Sequence, residues 1–179
     1  MSALSTAIEE QLAPFTAHIT GNPLASLIAV KGLPGPFEQE GKSPFSGQDG
    51  LALDRAFGRL GWGYGSRDTR TWLGVLLELP SALPAQTQAA TPAQLSGAGL
   101  RLICEIVDPL TIIALDNKAH GALIDAFGAE AEKLAEQFIF GGETRVLGRQ
   151  LVSVTGFEDA LGEEQAKQRV WAQLKRCAR

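Results

Sequence analysis

Apolar residues recur at helical spacing from the start of the chain. Leu4, Ile8, Leu12 and Phe15 share one face and predict an amphipathic helix over 4–15. Thr6 with Glu9 forms a capping-box pattern within that helix or marks its start. Asn22-Pro23 ends the region, and the apolar run Leu24 to Val30 reads as a buried strand. Gly47 to Gly61 reads as a helix with Leu51, Leu53, Phe57 and Leu60 turned inward. Trp72, Leu73, Val75, Leu76 and Leu77 predict a second buried strand within 70–79, followed by a Pro-, Ala- and Gln-rich loop over 80–90. Thr91-Pro92-Ala93-Gln94 carries a helix-start pattern. The predicted helix presents Leu95, Leu102, Ile103 and Ile106 and stops at Asp108-Pro109.

Thr111 to Leu115 predicts a third buried strand. Asp116 or Asn117 caps a helix carrying Ala119, Leu123, Ile124 and Phe127 that ends at Gly128. Residues 129–140 continue as a second short helix, and Gly141-Gly142 marks a turn. Leu151 to Val154 predicts a fourth strand, and a helix over 159–177 closes the chain, acidic early and basic late. Strands alternating with helices predict a three-layer α/β/α sandwich around a four-stranded, mostly parallel sheet. Functional sites in such sheets lie beyond the carboxyl ends of the strands. These ends are the stretch 31–45, the turn after Leu79, and the segments 116–120 and 155–159.

Composition narrows the class. A chain of 179 residues, 45% hydrophobic and 20% charged, fits one globular domain. Its net charge of -4 argues against tight, nonspecific DNA binding, which draws on phosphate contacts. Cys104 and Cys177 are too few for a disulfide framework or a four-cysteine cluster, and Cys104 stands among apolar neighbours as a core residue. No cationic leader or membrane-length apolar run is present, so a cytoplasmic location with no membrane partner is expected.

The segment 34–54 carries the most specific pattern. Pro34-Gly35 ends a strand, Glu38-Gln39-Glu40 makes an acidic turn, and Gly41-Lys42-Ser43-Pro44-Phe45-Ser46-Gly47 leads through Gly50 to Leu53-Asp54. The run 108–115 and the ending Val170-Trp171-Ala172-Gln173-Leu174-Lys175-Arg176 fall in matching order. Together they resemble the uracil-DNA glycosylase superfamily, closest to its iron-sulfur-bearing bacterial branch, over about Leu24 to Lys175. The resemblance implies one domain over 1–179 and a role in base excision during DNA repair. It also implies a base-binding site at Pro34, Gly35, Phe45 and Gly74, with Phe45 stacking on an everted base. The catalytic positions depart from the family. The strand-end acid or amide falls on Gly32, the base-reading Asn near Gly74, and the closing His on Phe157. The cluster cysteines have no counterparts, so no cofactor or metal is expected. Stabilising charge on a departing base needs hydrogen-bond donors or charges, which Gly and Phe do not supply. The expectation is a degenerate member that binds a base, a nucleotide or DNA near Phe45. The alternatives are an active glycosylase with rearranged chemistry, or an adaptor whose partner is another protein.

Asp49, Asp116 and His120 are the remaining catalytic candidates. Asp116 and His120 form either an acid–base couple or a capping Asp beside a partly exposed His. Asp49 either reaches the site or complements the following helix dipole. His18 reads as a surface residue. Gly32 to Gly35 offers backbone amides to a phosphate, although Pro34 removes one donor. Trp62, Tyr64 and Arg67 form a glycine-rich aromatic turn that either stacks on bases or fills a gap between elements.

Overall fold

The computed structural model describes residues 3–62, 70–81, 93–130 and 133–177. Among these, six strands form one mixed sheet: β1 (Ile19–Gly21), β2 (Leu27–Lys31), β3 (Leu73–Leu76), β4 (Thr111–Ala114), β5 (Glu143–Val146) and β6 (Arg149–Ser153). Their spatial order is β1-β3-β2-β4-β6-β5. The four inner strands run parallel, with Val30 of β2 in register with Val75 on one side and Ala114 on the other. β1 and β5 lie antiparallel at the two edges. The expected four-stranded sheet is thus corrected to six mixed strands. Both additions lack a buried apolar run: β1 has three residues and β5 presents Glu143, Thr144 and Arg145 along a mostly exposed edge. Inner strands are buried on both faces and show the continuous apolar pattern that makes them legible.

Alternation along each strand divides the apolar residues between two cores. Ile28, Val30, Val75 and Ile112 face a core shared with α1 (Ala3–Leu12), α4 (Gly97–Val107) and α5 (Asn117–Phe127). Leu27, Ala29, Ile113 and Val152 face the other, closed by α3 (Gln48–Leu60), α7 (Phe157–Ala160) and α8 (Glu164–Cys177). Two short helices, α2 (Pro36–Gln39) and α6 (Leu134–Gln137), lie in the connections after β2 and α5.

Several boundaries differ from the sequence reading. The first buried strand begins at Leu27, and Leu24 is exposed. α3 turns Gly50, Leu53 and Phe57 inward and leaves Leu51 exposed. α4 starts later than expected: Ser96 is its N-cap and accepts the Gly99 amide at 3.1 Å. Residues 94 and 95 instead extend the sheet edge, with a Glu78–Gln94 bridge and the Leu95 amide bonded to the Leu77 carbonyl at 2.7 Å. The expected start at Thr91-Pro92 lies outside the described residues. The segment 129–140 holds a 3-10 turn and the four-residue α6, and the closing helix divides into α7 and α8 around Gly162. The last turn of α8 carries Lys175 and Arg176, as its dipole favours.

Cys104 is buried in α4, and burial pushes its thiol pKa up to about 12. The surface position expected for His18 is also corrected. It is fully buried, with Nδ1 2.6 Å from the Leu76 carbonyl oxygen, which ties the chain ahead of β1 to β3. Among the described residues no helix is long and apolar enough to cross a membrane.

Candidate functional site

The parallel order changes direction at β2: the chain crosses to β3 on one side and β4 later takes the other. Connections from adjacent strand ends therefore diverge there and leave a crevice. Lys31, the last residue of β2, continues the inward run Leu27-Ile28-Ala29-Val30, so its side chain is only 2% exposed. A buried ammonium requires partners. Lys31 Nζ donates to Glu38 Oε1 at 2.8 Å, Asp49 Oδ2 at 2.6 Å and Glu158 Oε1 at 3.2 Å. It also lies 5.1 Å from the centroid of the Phe45 ring. Burial pulls the Lys31 pKa down. Hydrogen bonds to Asp49 and Glu38, together with their charges, more than reverse this and raise it above its ordinary 10.5. The stabilisation from this cation is present below pH 10.5 and is lost only as pH rises through the raised value. Lys31 is therefore protonated at neutral pH and is not an amine nucleophile.

The carboxylates organise the surrounding loop. Glu38 in α2 accepts the Gly35 amide at 2.9 Å and the Phe45 amide at 2.8 Å in addition to Lys31. Asp49, in the first turn of α3, accepts the Gly50 amide at 2.8 Å. Glu158, in α7, keeps 44% of its side chain exposed. A cavity of about 350 Å³ opens beside this cluster. Gly35, Phe37, Glu38, Gln48, Asp49 and Glu158 are among its walls, and among the described residues that line it Gln48 alone has a side-chain hydrogen-bond donor. The walls are otherwise rich in acceptors.

Phe45 has a backbone φ of 58°, in the left-handed region that bulky residues avoid. The conformation directs its ring inward. The ring is fully buried and meets Trp72 edge-on, with centroids 5.3 Å apart. It rests directly on Gly74, where a Cβ would fall 2.5 Å from Phe45 Cδ2. Arg70 holds the loop by donating to the Phe45 carbonyl. The Phe45 ring and Trp72 thus fill the space over Gly74. Gly35 lines the cavity, whereas Pro34 is not among its walls; Gly35 is crowded, with Glu158 Oε1 2.7 Å from where its Cβ would stand.

Gly32 leaves no room for a strand-end side chain. A Cβ there would lie 2.5 Å from both Asp116 Oδ1 and Lys118 Cβ. Asp116 occupies this space as the N-cap of α5, accepting the Ala119 amide at 2.8 Å and the Gly32 amide at 2.6 Å. Introducing a carboxylate by Gly32→Asp is therefore expected to destabilise the fold by about 1–3 kcal/mol through overpacking, and to confer no excision activity. Urea unfolding and a base-excision assay check the two parts. The amides of Gly32 and Gly35 are both bonded to carboxylates, so neither is open to a phosphate.

His120 does not join Asp116 in a catalytic couple. It is 8% exposed and packs against Phe138 and Phe140, at centroid distances of 4.5 and 5.7 Å. Burial lowers its pKa, and its Nδ1 has no partner. The expected partial exposure is corrected accordingly. Phe157 is also a core residue, facing α3 and α8. Trp62 leans on Phe57 at 5.7 Å and fills a gap between elements, whereas Tyr64 and Arg67 lie outside the described residues. Among the described residues no cluster of His, Cys, Asp and Glu could hold a metal ion.

Of the sequence candidates, only Asp49 enters the cluster, and Lys31, Glu38 and Glu158 complete it. A signal for Lys31 was present: a lysine extending a buried strand requires a carboxylate, and Glu38 and Asp49 follow within 18 residues. Glu158 stands 127 residues away, where local pattern carries no information. No protein-family model matches this sequence, and no curated protein matches it.

Proposed function

We propose that this chain is a uracil-DNA glycosylase-like domain that does not excise bases and instead holds a nucleobase in the cavity walled by Gly35, Phe37 and Glu158. The observation that carries the reading is the buried Lys31 ammonium clamping Glu38, Asp49 and Glu158 at the strand ends; the resemblance puts Gly32 and Phe157 at the family's catalytic positions. Excision needs groups that stabilise a developing anion on the departing base. Carboxylate walls oppose that charge, and the one cation among them is buried and shared by three acids.

The same walls favour a ligand that donates hydrogen bonds. An exocyclic amino group, as on cytosine or adenine, presents N–H donors to Glu158, and Phe37 supplies an apolar surface. A free base or nucleoside suits the cavity better than a phosphate-rich strand, since the lining acids and the net charge of -4 repel phosphates.

The reading is tested in two assays. Uracil- and hypoxanthine-containing oligonucleotides are expected to remain intact with the protein in excess. Titration of free cytosine, adenine and uracil against the isotope-labelled protein is expected to perturb NMR signals around Gly35 and Glu158 for the amino-bearing bases, with the response lost in Glu158→Gln. Excised base appearing in proportion to protein, or no perturbation by any base, overturns the reading.

A further inference from the structure

A second cavity, of about 420 Å³, lies between α3 and α8, with Leu161 shared between its wall and that of the first cavity. Its floor is formed by Ala52, Ala56, Phe157, Ala160, Val170 and Leu174. The alanines make it a groove: a long side chain at 52, 56 or 160 would fill it. Arg55 and Arg59 stand on its α3 wall and Lys167 on its α8 wall. Neither arginine makes an ion pair among the described residues, whereas Arg70, Arg101 and Arg149 each sit on a carboxylate. Lys167 pairs at 3.8 Å with Glu164, which also lines the groove, so the two arginines carry its excess positive charge. The charge on this groove is therefore opposite to that of the chain as a whole, which is -4.

We propose that this groove docks an acidic amphipathic helix of a partner protein. An apolar floor with two arginines on one wall complements a helix bearing an apolar stripe with acidic residues along one side. α3 has 13 residues and is about 20 Å long, which gives a partner helix several turns of contact. Arg55 and Arg59 are one turn apart, about 6 Å along the axis, and match carboxylates at positions i and i+4 of the incoming helix. A nucleic-acid strand fits less well. Trp171 is the one half-buried aromatic on the walls, and Lys175 lies 5.8 Å from its ring centroid, so a row of stacking positions is absent.

The test is selection from a displayed library of helical peptides about 18 residues long, followed by fluorescence anisotropy on the best sequence with the whole chain. Enriched peptides are expected to carry apolar residues at i, i+4 and i+7 with Asp and Glu along one side. Their affinity is expected to fall about tenfold or more in the Arg55→Glu/Arg59→Glu variant, and to weaken with added salt. Circular dichroism of that exposed double variant is expected to match the parent, with the urea midpoint lowered only slightly by the acid placed in the last turn of α3. Enrichment of basic or aperiodic peptides overturns the proposal, as does affinity unchanged by the double reversal. Recovery of no helical peptide, together with single-stranded oligonucleotide binding that the reversal abolishes, assigns the groove to nucleic acid and also overturns it.

Discussion

Lys31→Met is expected to remove about 3–5 kcal/mol of folding stability, read as a lower urea midpoint, because it strips three carboxylates of their shared cation. Methionine approximates the length and volume of the lysine stem, so packing is nearly preserved and the loss reports charge. Glu38 and Asp49 are almost fully buried and would face each other without compensation, while Glu158 has solvent to turn toward. Glu38 also fixes the Gly35 and Phe45 amides, so repulsion would loosen the loop that shapes the cavity. The double variant Lys31→Met/Asp49→Asn is expected to recover part of the stability, since one of the unpaired charges is then gone. A double variant no more stable than Lys31→Met would show that the lysine acts through its stem and not through its charge.

Phe45→Ala is expected to cost about 3–5 kcal/mol, the range for emptying an aromatic site in a core. The ring touches Trp72, Lys31 and Gly74, and the neighbouring strand ends are too constrained to close the space. The left-handed backbone at this position adds a diagnostic comparison. Phe45→Gly loses one more carbon than Phe45→Ala but tolerates a φ of 58° without strain. Glycine is thus expected to be no more destabilising than alanine, the reverse of the order at an ordinary buried position. Thermal unfolding of the two variants checks this order. A change in ligand binding by Phe45→Ala is interpretable only where the variant remains folded, since the residue holds the site from within.

Local chemistry made much of the architecture readable. The inner strands announced themselves as short apolar runs, because burial on both faces leaves no polar alternation. Asp116 was readable as a cap because a side-chain oxygen at that position meets the Ala119 amide whatever surrounds it. Edge strands β1 and β5 were not readable, since their pairing is set by the neighbouring strand and their own residues are mostly polar or few. The start of α4 at Ser96 was not readable for a similar reason: the chain at 94–95 bonds to residues 77 and 78, just beyond β3.

The site divides along the same line. The segment 31–49 contained the lysine, two of its acids and the aromatic, and the carboxyl ends of the strands were identifiable as the place where side chains gather. What the chain alone could not state was the direction of each group. Phe45 points into the core because its backbone is left-handed, Gly32 is bare because Asp116 and Lys118 occupy its space, and Glu158 reaches Lys31 from 127 residues away. Residue order determined the elements and the types of group near the crevice, since propensity, burial and capping act over a few residues. Tertiary packing alone decided which of those groups meet, because one buried positive charge gathers its counterions through space and not along the chain.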